Sequence, residues 1–250
     1  NFKGYKIIFF CSYIHKQHND LLKKNNIYLI KLNTLTKNKH HKLVYSKKKQ
    51  IEDSNKCISK IKKNYKIKYI FIDSYNFDHI WEKNIYKFTE KLIVIDDLAN
   101  RKHFADIVID QNLHNNNNTR YKHLILKRTK LLTGLKYVIL NDNIIKYKTK
   151  YKKNKKIIEI LVFFGGTDIK NLTIKLLNIF IKKNLFVNFN FTFIATSKYN
   201  NLEKIIELIK KFSIKLIIDT NRMGYFINKS DLIISTGGIF TWEKLYFLKP

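Results

Sequence analysis

The stretch Ser235-Thr236-Gly237-Gly238-Ile239-Phe240-Thr241-Trp242-Glu243 decides the fold of the C-terminal half of the chain. It follows an apolar run at 232–234 and opens a helical pattern that continues to Leu248. A strand that turns through paired glycines into a helix brings free backbone N–H groups and the positive end of the helix to one point. The stretch therefore predicts an anion site suited to a phosphate or diphosphate, with Glu243 available to ribose hydroxyls.

A second glycine pair lies earlier, in Phe164-Gly165-Gly166-Thr167-Asp168, again between an apolar run and a helical pattern. Glycine bends at the carboxyl ends of strands in one parallel sheet face the same crevice. Either pair alone is more simply explained as a tight turn. The two pairs together, each followed by a helix, favour a nucleotide.

Short apolar runs alternate with helical patterns along the whole chain. The predicted strands cover residues 5–11, 27–32, 67–73, 92–97, 106–110, 157–164, 187–195, 214–218 and 232–235. The predicted helices cover residues 15–25, 51–61, 77–88, 170–183, 202–212, 221–228 and 239–248. Such alternation predicts an α/β fold whose parallel strands are buried on both faces. The most charged stretch, at 141–156, predicts a boundary between one domain at 1–145 and a second at 146–250.

The formal charge of +30 first suggests a nucleic-acid partner. Arginine is the residue that contacts phosphates and base edges bidentately. Only four of the 49 basic residues are arginines: Arg101, Arg120, Arg128 and Arg222. The lysines are spread along the chain, which is typical of solvated faces, so we expect no nucleic acid.

Neither cysteine nor histidine spacing indicates a metal or a cofactor. Cys11 and Cys57 fit no ligand pattern and are interpreted as free thiols in a reducing cytosol. No run of 18 or more apolar residues is present, so we expect no membrane span. The sequence predicts a cytoplasmic monomer that needs no cofactor.

Several short motifs occur in a specific order along the chain. They are Asp73-Ser74-Tyr75, Trp81-Glu82, Ile95-Asp96-Asp97-Leu98-Ala99-Asn100-Arg101, residues 106–112 (DIVIDQN), Leu131-Leu132-Thr133-Gly134 with Tyr137, Phe164-Gly165-Gly166-Thr167-Asp168 with Asn171-Leu172-Thr173, and Gly237-Gly238 with Thr241-Trp242-Glu243. Each motif is weak, but the ordered set closely resembles the UDP-2,4-diacetamido-2,4,6-trideoxy-β-L-altropyranose hydrolases of pseudaminic acid biosynthesis. The resemblance extends from about Tyr5 to Pro250.

The resemblance implies two Rossmann-like domains of the GT-B type, the first on the acceptor or catalytic side and the second binding UDP. It implies cleavage of the anomeric C–O bond of a UDP-sugar by water, which releases UDP and the free sugar. The implied substrate-binding residues are Gly165, Gly166, Thr167, Met223, Gly237, Gly238, Thr241 and Glu243. The diphosphate would lie on Gly237, Gly238 and Thr241. Tyr75, at the end of a strand, is the catalytic candidate because a phenol there could position the substrate or the attacking water.

Simpler interpretations stand beside these roles. Glu243 could be an exposed acid in the first turn of its helix, Asp168 an N-cap, and Tyr75 a packed aromatic. For the side chain of Met223, a place in the core is the favoured interpretation. Adjacent aspartates, Asp96 and Asp97, form a poor acid/base pair, and one of them is expected to fix the loop at 99–101. Two histidines, His79 and His103, are the available replacement bases, and neither is favoured.

The chain also departs from the family pattern. The family opens with a strand and a glycine-rich loop carrying a histidine, the expected main base, and it continues past the equivalent of Pro250 with an Asn-Gln pair. Small hydroxyl residues are replaced by Ile239-Phe240, and Asn141-Asp142 replaces an Arg-Glu-like pair. We therefore expect a fragment, with both domains incomplete at the chain ends. A related GT-B glycosyltransferase and a non-catalytic UDP-sugar-binding remnant are the alternatives.

Overall fold

The structure, a computed structural model, describes residues 4–14, 16–32, 44–61, 65–116, 119–148, 158–187, 189–212 and 214–250. The chain divides into two units, Asn1–Val138 and Ile139–Pro250. The division falls seven residues before the predicted boundary at 145/146, because Ile144 packs into an apolar cluster of the second unit. Much of the charged stretch that suggested the boundary, at 149–156, lies outside the described residues.

The first unit contains two parallel ladders. One joins β1 and β2, and the other has the order β3-β4-β5-β6. The strands are β1 Ile8–Cys11, β2 Tyr28–Lys31, β3 Ile67–Asp73, β4 Thr89–Ile95, β5 Ile107–Asp110 and β6 Lys130–Thr133. The helices are α1 Lys16–Lys24, α2 Lys47–Lys60 and α3 His79–Tyr86. Ser46 caps α2 and Asp78 caps α3, each by accepting a hydrogen bond from a first-turn N–H group.

The two ladders of the first unit meet through side chains. Within the described residues, no backbone hydrogen bond joins β1 to β3. The rings of Tyr5 and Tyr69 lie 6.5 Å apart, and Lys68 Nζ donates to the Tyr5 hydroxyl at 2.6 Å. Two aromatic side chains of these strands, Phe9 and Phe71, are exposed. The core of this unit instead lies against β4 and β5, where Leu92, Val94 and Val108 are fully buried.

The second unit has one four-stranded parallel sheet in the order β10-β7-β8-β9. Its strands are β7 Ile158–Phe163, β8 Phe189–Ala195, β9 Lys215–Ile218 and β10 Leu232–Ser235. Its helices are α4 Asp142–Ile145, α5 Leu172–Lys182, α6 Leu202–Lys211, α7 Met223–Lys229 and α8 Ile239–Tyr246. Along β7 the side chains alternate between two cores: Ile160 and Val162 enter one, and Leu161 enters the other. The sheet is therefore covered on both faces, as the apolar runs predicted.

The predicted elements correspond to observed ones, with ends that differ by a few residues. Among the described residues, the strand β6 and the α-helix α4 were missed, as were two 3-10 helices, Leu135–Tyr137 and Leu185–Val187. β6 and α4 each contain only two apolar residues, which is too few for an apolar period to stand out from its polar neighbours. Among the described residues, no helix combines the length and apolar character needed to cross a membrane, and no group of His, Cys, Asp and Glu could hold a metal ion.

Gly224, in α7, sets how closely α4 approaches. A Cβ at this position would lie 2.8 Å from the carbonyl oxygen of Ile144, and backbone cannot yield as a flexible side chain can. We expect Gly224→Ala to lower the free energy of unfolding by about 1–3 kcal/mol, the usual range for overpacking. Urea denaturation measures this loss, with Gly166→Ala as a control because a Cβ there meets nothing within 4 Å. Equal stability of the two variants would contradict the prediction.

Candidate functional site

The two glycine bends lie on neighbouring strands of the second unit. β7 and β10 pair in parallel, with Phe163 opposite Ser235, so the bends that follow them leave the same edge of the sheet. From β7 the chain proceeds outward through β8 and β9 on one side, whereas β10 is added on the other side. This reversal is a topological switch point, where open α/β sheets bind ligands outside the carboxyl ends of their strands.

Each bend contains one glycine that its backbone requires and one that it does not. Gly165 and Gly238 have φ values of +85° and +106°, which L side chains rarely adopt. Gly166 and Gly237 lack a positive φ, and a Cβ on either would meet nothing within 4 Å. The bends also meet each other, since a Cβ on Gly165 would lie 3.8 Å from Thr236 Oγ1. Open space thus borders the second glycine of the first bend and the first glycine of the second.

The first bend is held by two side chains that the sequence analysis missed. Tyr199 donates its hydroxyl hydrogen to Gly165 O at 2.8 Å, and Thr196 Oγ1 donates to Gly166 O at 2.6 Å. Burial raises the pKa of Tyr199 to about 12, so its phenol remains a donor. The carbonyl oxygens of the bend are thereby turned toward the protein. Thr167, the next predicted residue, is exposed.

Asp168 occupies the N-terminus of α5. Its two carboxylate oxygens accept hydrogen bonds from the backbone N–H groups of Leu172 and Thr173, at 2.8 and 2.9 Å. Its side chain therefore caps the helix, as the simpler interpretation of this residue predicted. A negative charge already neutralises the positive end of this helix, so α5 is a poor phosphate site.

The N-terminus of α8 is open. Its N-cap is Gly238, which has no side chain to offer, and the helix has no acidic residue in its first turn. The N–H of Thr241 donates to Gly238 O at 2.9 Å. Of the two helices that follow glycine bends, α8 is the one whose N-terminal N–H groups remain available to an anion.

Glu243 lies in the second turn of α8 and is half-buried. Among the described residues none donates a hydrogen bond to its carboxylate or forms an ion pair with it, and burial raises its pKa. The interpretation as an exposed first-turn acid is therefore wrong. Met223, the first residue of α7, packs against the apolar cluster that contains Ile144 and Phe247, so its side chain serves the core.

In the first unit, Tyr75 follows β3 and belongs to a polar cluster at the carboxyl ends of three strands. Its hydroxyl donates to Asp97 Oδ1 at 2.8 Å, and Asn112 Nδ2 donates to Asp97 Oδ2 at 3.3 Å. Asp97 follows β4 and Asn112 follows β5. Burial and the hydrogen bond to Asp97 raise the pKa of Tyr75 to about 12. Tyr75, Asp97 and Asn112 all lie in the sequence motifs, but the motifs did not predict that these residues would contact one another.

Asp96 has a different environment from its neighbour. Its carboxylate forms an ion pair with Arg101 at 2.6 Å and accepts from the backbone N–H of Ala99 at 2.9 Å. Asp96 is thus the aspartate that fixes the loop at 99–101. Although burial alone would raise its pKa, His103 and Arg101 hold it well below the ordinary range.

His103 is enclosed between two carboxylates. Its Nδ1 lies 2.7 Å from Glu82 Oε1 and its Nε2 lies 3.6 Å from Asp96 Oδ2, and all three side chains are fully buried. Burial would lower the pKa of the imidazole, but the two carboxylates raise it to about 9. A charged, inaccessible imidazole cannot serve as a catalytic base. His79, at the start of α3, keeps an exposed side chain next to Asp78.

The fold and these bends define a chain of two Rossmann-like α/β domains. Acinetobacter baumannii MurG matches it with a TM-score of 0.55 and 14% identity, over 96% of this chain and 65% of MurG. A structure of S. aureus MnaA with UDP matches with a TM-score of 0.47 and 15% identity, over 96% of this chain and 69% of MnaA. The MurG likeness confirms the predicted fold class, two Rossmann-like domains of the GT-B type.

Two curated proteins are similar in sequence. The uncharacterized protein MJ1062 of Methanocaldococcus jannaschii is 29% identical over 206 residues, 79% of this chain and 42% of that protein. The UDP-2,4-diacetamido-2,4,6-trideoxy-β-L-altropyranose hydrolase of Campylobacter jejuni is 27% identical over 180 residues, 71% of this chain and 62% of the hydrolase. The chain thus spans less than two thirds of either relative. No family model matches it.

Proposed function

We propose that the chain holds the UDP part of a UDP-sugar on its second unit and acts as a UDP-sugar hydrolase. The observation that carries the proposal is the pairing of two glycine bends at the switch point between β7 and β10. Beside them lie a helix without a side-chain cap and the half-buried carboxylate of Glu243, which no residue described in the structure pairs with. Phosphates need N–H donors and open space, and ribose hydroxyls need an acceptor. The second unit provides the N–H donors, the open space and the acceptor.

Each part of the ligand is assigned to a group of these residues. The diphosphate is assigned to the end of the second bend and the start of α8, where N–H groups are free. The first bend is assigned to the phosphates or the sugar. The uracil is assigned to the start of α7, where we propose that backbone groups recognise it. The residues so assigned are Gly237, Gly238, Thr241, Glu243, Gly165, Gly166, Thr167 and Met223.

The proposed reaction is hydrolysis of the anomeric C–O bond. Water attacks the anomeric carbon, the bonding electrons leave with the UDP oxygen, and the proton of water passes to a base. The named activity of the C. jejuni relative supports hydrolysis of a UDP-linked diacetamido-trideoxyhexose. Tyr75 is proposed as a catalytic residue that positions the attacking water. We assign the protein to the cytoplasm because free thiols such as Cys57 fit a reducing compartment. We further propose that it is a monomer and needs no cofactor.

Titration of the chain with UDP in a calorimeter tests the nucleotide site. We expect binding that Glu243→Gln weakens about tenfold or more, since hydrogen bonds to a charged group contribute about 1.5–3 kcal/mol. Glu207→Gln is the control, because Glu207 is an exposed acid in the middle of α6. Absence of UDP binding, or equal loss in both variants, would contradict the assignment.

A product assay with UDP-2,4-diacetamido-2,4,6-trideoxy-β-L-altropyranose then separates the candidate activities. Free sugar and UDP indicate a hydrolase. UDP release that depends on an added sugar acceptor indicates a GT-B glycosyltransferase. Binding without turnover indicates a non-catalytic UDP-sugar-binding protein.

A further inference from the structure

We propose that Asp97 is a positioning residue for this reaction, holding the Tyr75 hydroxyl so that its oxygen accepts a hydrogen bond from the attacking water. The inference rests on the proposed function and deepens it. It assigns Tyr75 the role of an acceptor rather than that of an acid or a base. It also gives Asp97, which the motif analysis left without a role, a function that it exerts through Tyr75.

The first observation behind the inference is the direction of the hydrogen bond between Tyr75 and Asp97. A phenol has one O–H donor, and Tyr75 donates it to Asp97 Oδ1 at 2.8 Å. The remaining lone pairs of the phenol oxygen can only accept. Burial and Asp97 raise the pKa of this phenol, so it stays protonated at neutral pH and the donor direction is kept. A water molecule that meets this oxygen must donate to it, which turns the lone pairs of the water away toward another atom.

The carboxylate of Asp97 is fixed in its turn. Its Oδ2 accepts from Asn112 Nδ2 at 3.3 Å, and its carbonyl oxygen accepts from the guanidinium of Arg120 at 3.1 Å. The same guanidinium forms an ion pair with Asp110, at the end of β5. Side chains that follow β3 and β5 thus contact the two oxygens of a carboxylate that follows β4. A group held in this way can orient a hydroxyl to within the small tolerance that catalysis requires.

The backbone that carries Tyr75 is clamped independently. Arg101 donates from Nε to Phe77 O at 2.8 Å and from a terminal nitrogen to Ser74 O at 3.2 Å, on either side of Tyr75. The guanidinium also lies 5.9 Å from the Tyr75 ring centroid. Because Arg101 is buried and paired with Asp96, the loop has little freedom. Both the backbone and the hydroxyl of Tyr75 are therefore preorganised.

A second tyrosine–aspartate pair in the same unit shows what a structural pair looks like. Tyr86 donates its hydroxyl hydrogen to Asp106 Oδ1 at 3.0 Å, just before β5 begins. Asp106 Oδ2 also accepts from the backbone N–H of Leu92 at 2.9 Å, so this carboxylate closes the sheet. Among the residues that the structure describes, the Asp97 carboxylate instead accepts from the side chains of Tyr75 and Asn112, at the carboxyl edge where ligands of open α/β sheets bind.

Steady-state kinetics with UDP-2,4-diacetamido-2,4,6-trideoxy-β-L-altropyranose test the inference. We expect Tyr75→Phe and Asp97→Ala each to lower kcat about 10- to 100-fold with little change in KM, because orientation of the water is lost while UDP still binds. Asp97→Asn should restore part of the rate, since its amide oxygen can accept the phenol hydrogen. The double variant should be no slower than the slower single variant. Tyr86→Phe is the control and should retain kcat.

The outcomes separate this inference from the proposed function. Unchanged UDP affinity with an unchanged kcat in Tyr75→Phe and Asp97→Ala overturns the role of Asp97 and leaves the nucleotide site intact. Absence of UDP binding by the wild type overturns the proposed function instead. If the wild type binds but turns nothing over, the same variants are compared by the gain in affinity of the UDP-sugar over UDP. A gain that Tyr75→Phe leaves unaltered also overturns the inference.

Discussion

Replacing His103 by glutamine is expected to lower the free energy of unfolding by about 3–5 kcal/mol at pH 6, the range for breaking a buried ion pair. The imidazolium is the cation between Glu82 and Asp96, and none of the three side chains reaches solvent. Glutamine keeps one N–H donor but supplies no charge. Glu82 would retain the N–H of Phe104 as a donor, yet its carboxylate would lose its only close cation among the described residues.

The cost of this substitution should depend on pH with a defined sign. The folded-state pKa of His103, about 9, lies above the ordinary value of 6.5 expected in the unfolded chain. A raised folded-state pKa contributes stability that is fully present below pH 6.5 and is lost as the pH rises through about 9. The difference between the two pKa values corresponds to about 3 kcal/mol. The penalty for His103→Gln should therefore shrink markedly between pH 6 and pH 9.5.

Urea denaturation of the wild type and of His103→Gln at these two pH values provides the measurement. His79→Gln is the matched control, since His79 is the exposed histidine at the start of α3 and should change stability by less than about 0.5 kcal/mol. A penalty for His103→Gln that is equal at pH 6 and pH 9.5 would show that the folded protein does not raise the pKa of His103.

The sequence predicted those features that depend on neighbours along the chain. A continuous apolar run such as Leu92-Ile93-Val94 has to be a strand covered on both faces, and each of these residues is buried. The paired glycines predicted bends, and parallel pairing of the strands before them placed both bends on one edge. Local pattern and sheet geometry are sufficient for such inferences.

The sequence did not predict the features that depend on partners distant along the chain. Tyr75 and Asp97 are 22 residues apart, and His103 and Glu82 are 21 apart. Nothing in the spacing distinguishes Asp96, which lies in the buried network, from Asp97, which lies at the open edge. The two carboxylates differ in their partners, since Arg101 pairs with Asp96 and Tyr75 donates to Asp97.

Arginine usage illustrates the same limit. The scarcity of arginine argued against a nucleic-acid surface, but it did not indicate where the few arginines act. Arg101 and Arg120 each form an ion pair with a buried aspartate and donate to loop carbonyl oxygens of the first unit. A planar guanidinium with five donors can hold several loop oxygens at once, which a lysine cannot do.

The two glycines of the second bend should respond to alanine in opposite ways. Gly238 has a φ of +106°, so Gly238→Ala should cost about 1–3 kcal/mol of stability through backbone strain. Gly237 has no positive φ and open space around it, so Gly237→Ala should leave the free energy of unfolding within about 0.5 kcal/mol of the wild type. The fold itself therefore does not require glycine at 237.

UDP binding tests whether a ligand, rather than the fold, requires glycine at position 237. If a diphosphate approaches the backbone there, a Cβ occupies the space of a phosphate oxygen, and we expect Gly237→Ala to weaken UDP binding about 100-fold, or about 2.7 kcal/mol. Calorimetry on Gly237→Ala and Gly238→Ala, with urea denaturation of both, separates the two effects. If the bend only reverses the direction of the chain, Gly237→Ala should bind UDP as the wild type does. That result would contradict the placement of the diphosphate, because the glycine of this bend that the fold does not require would then have no ligand to accommodate.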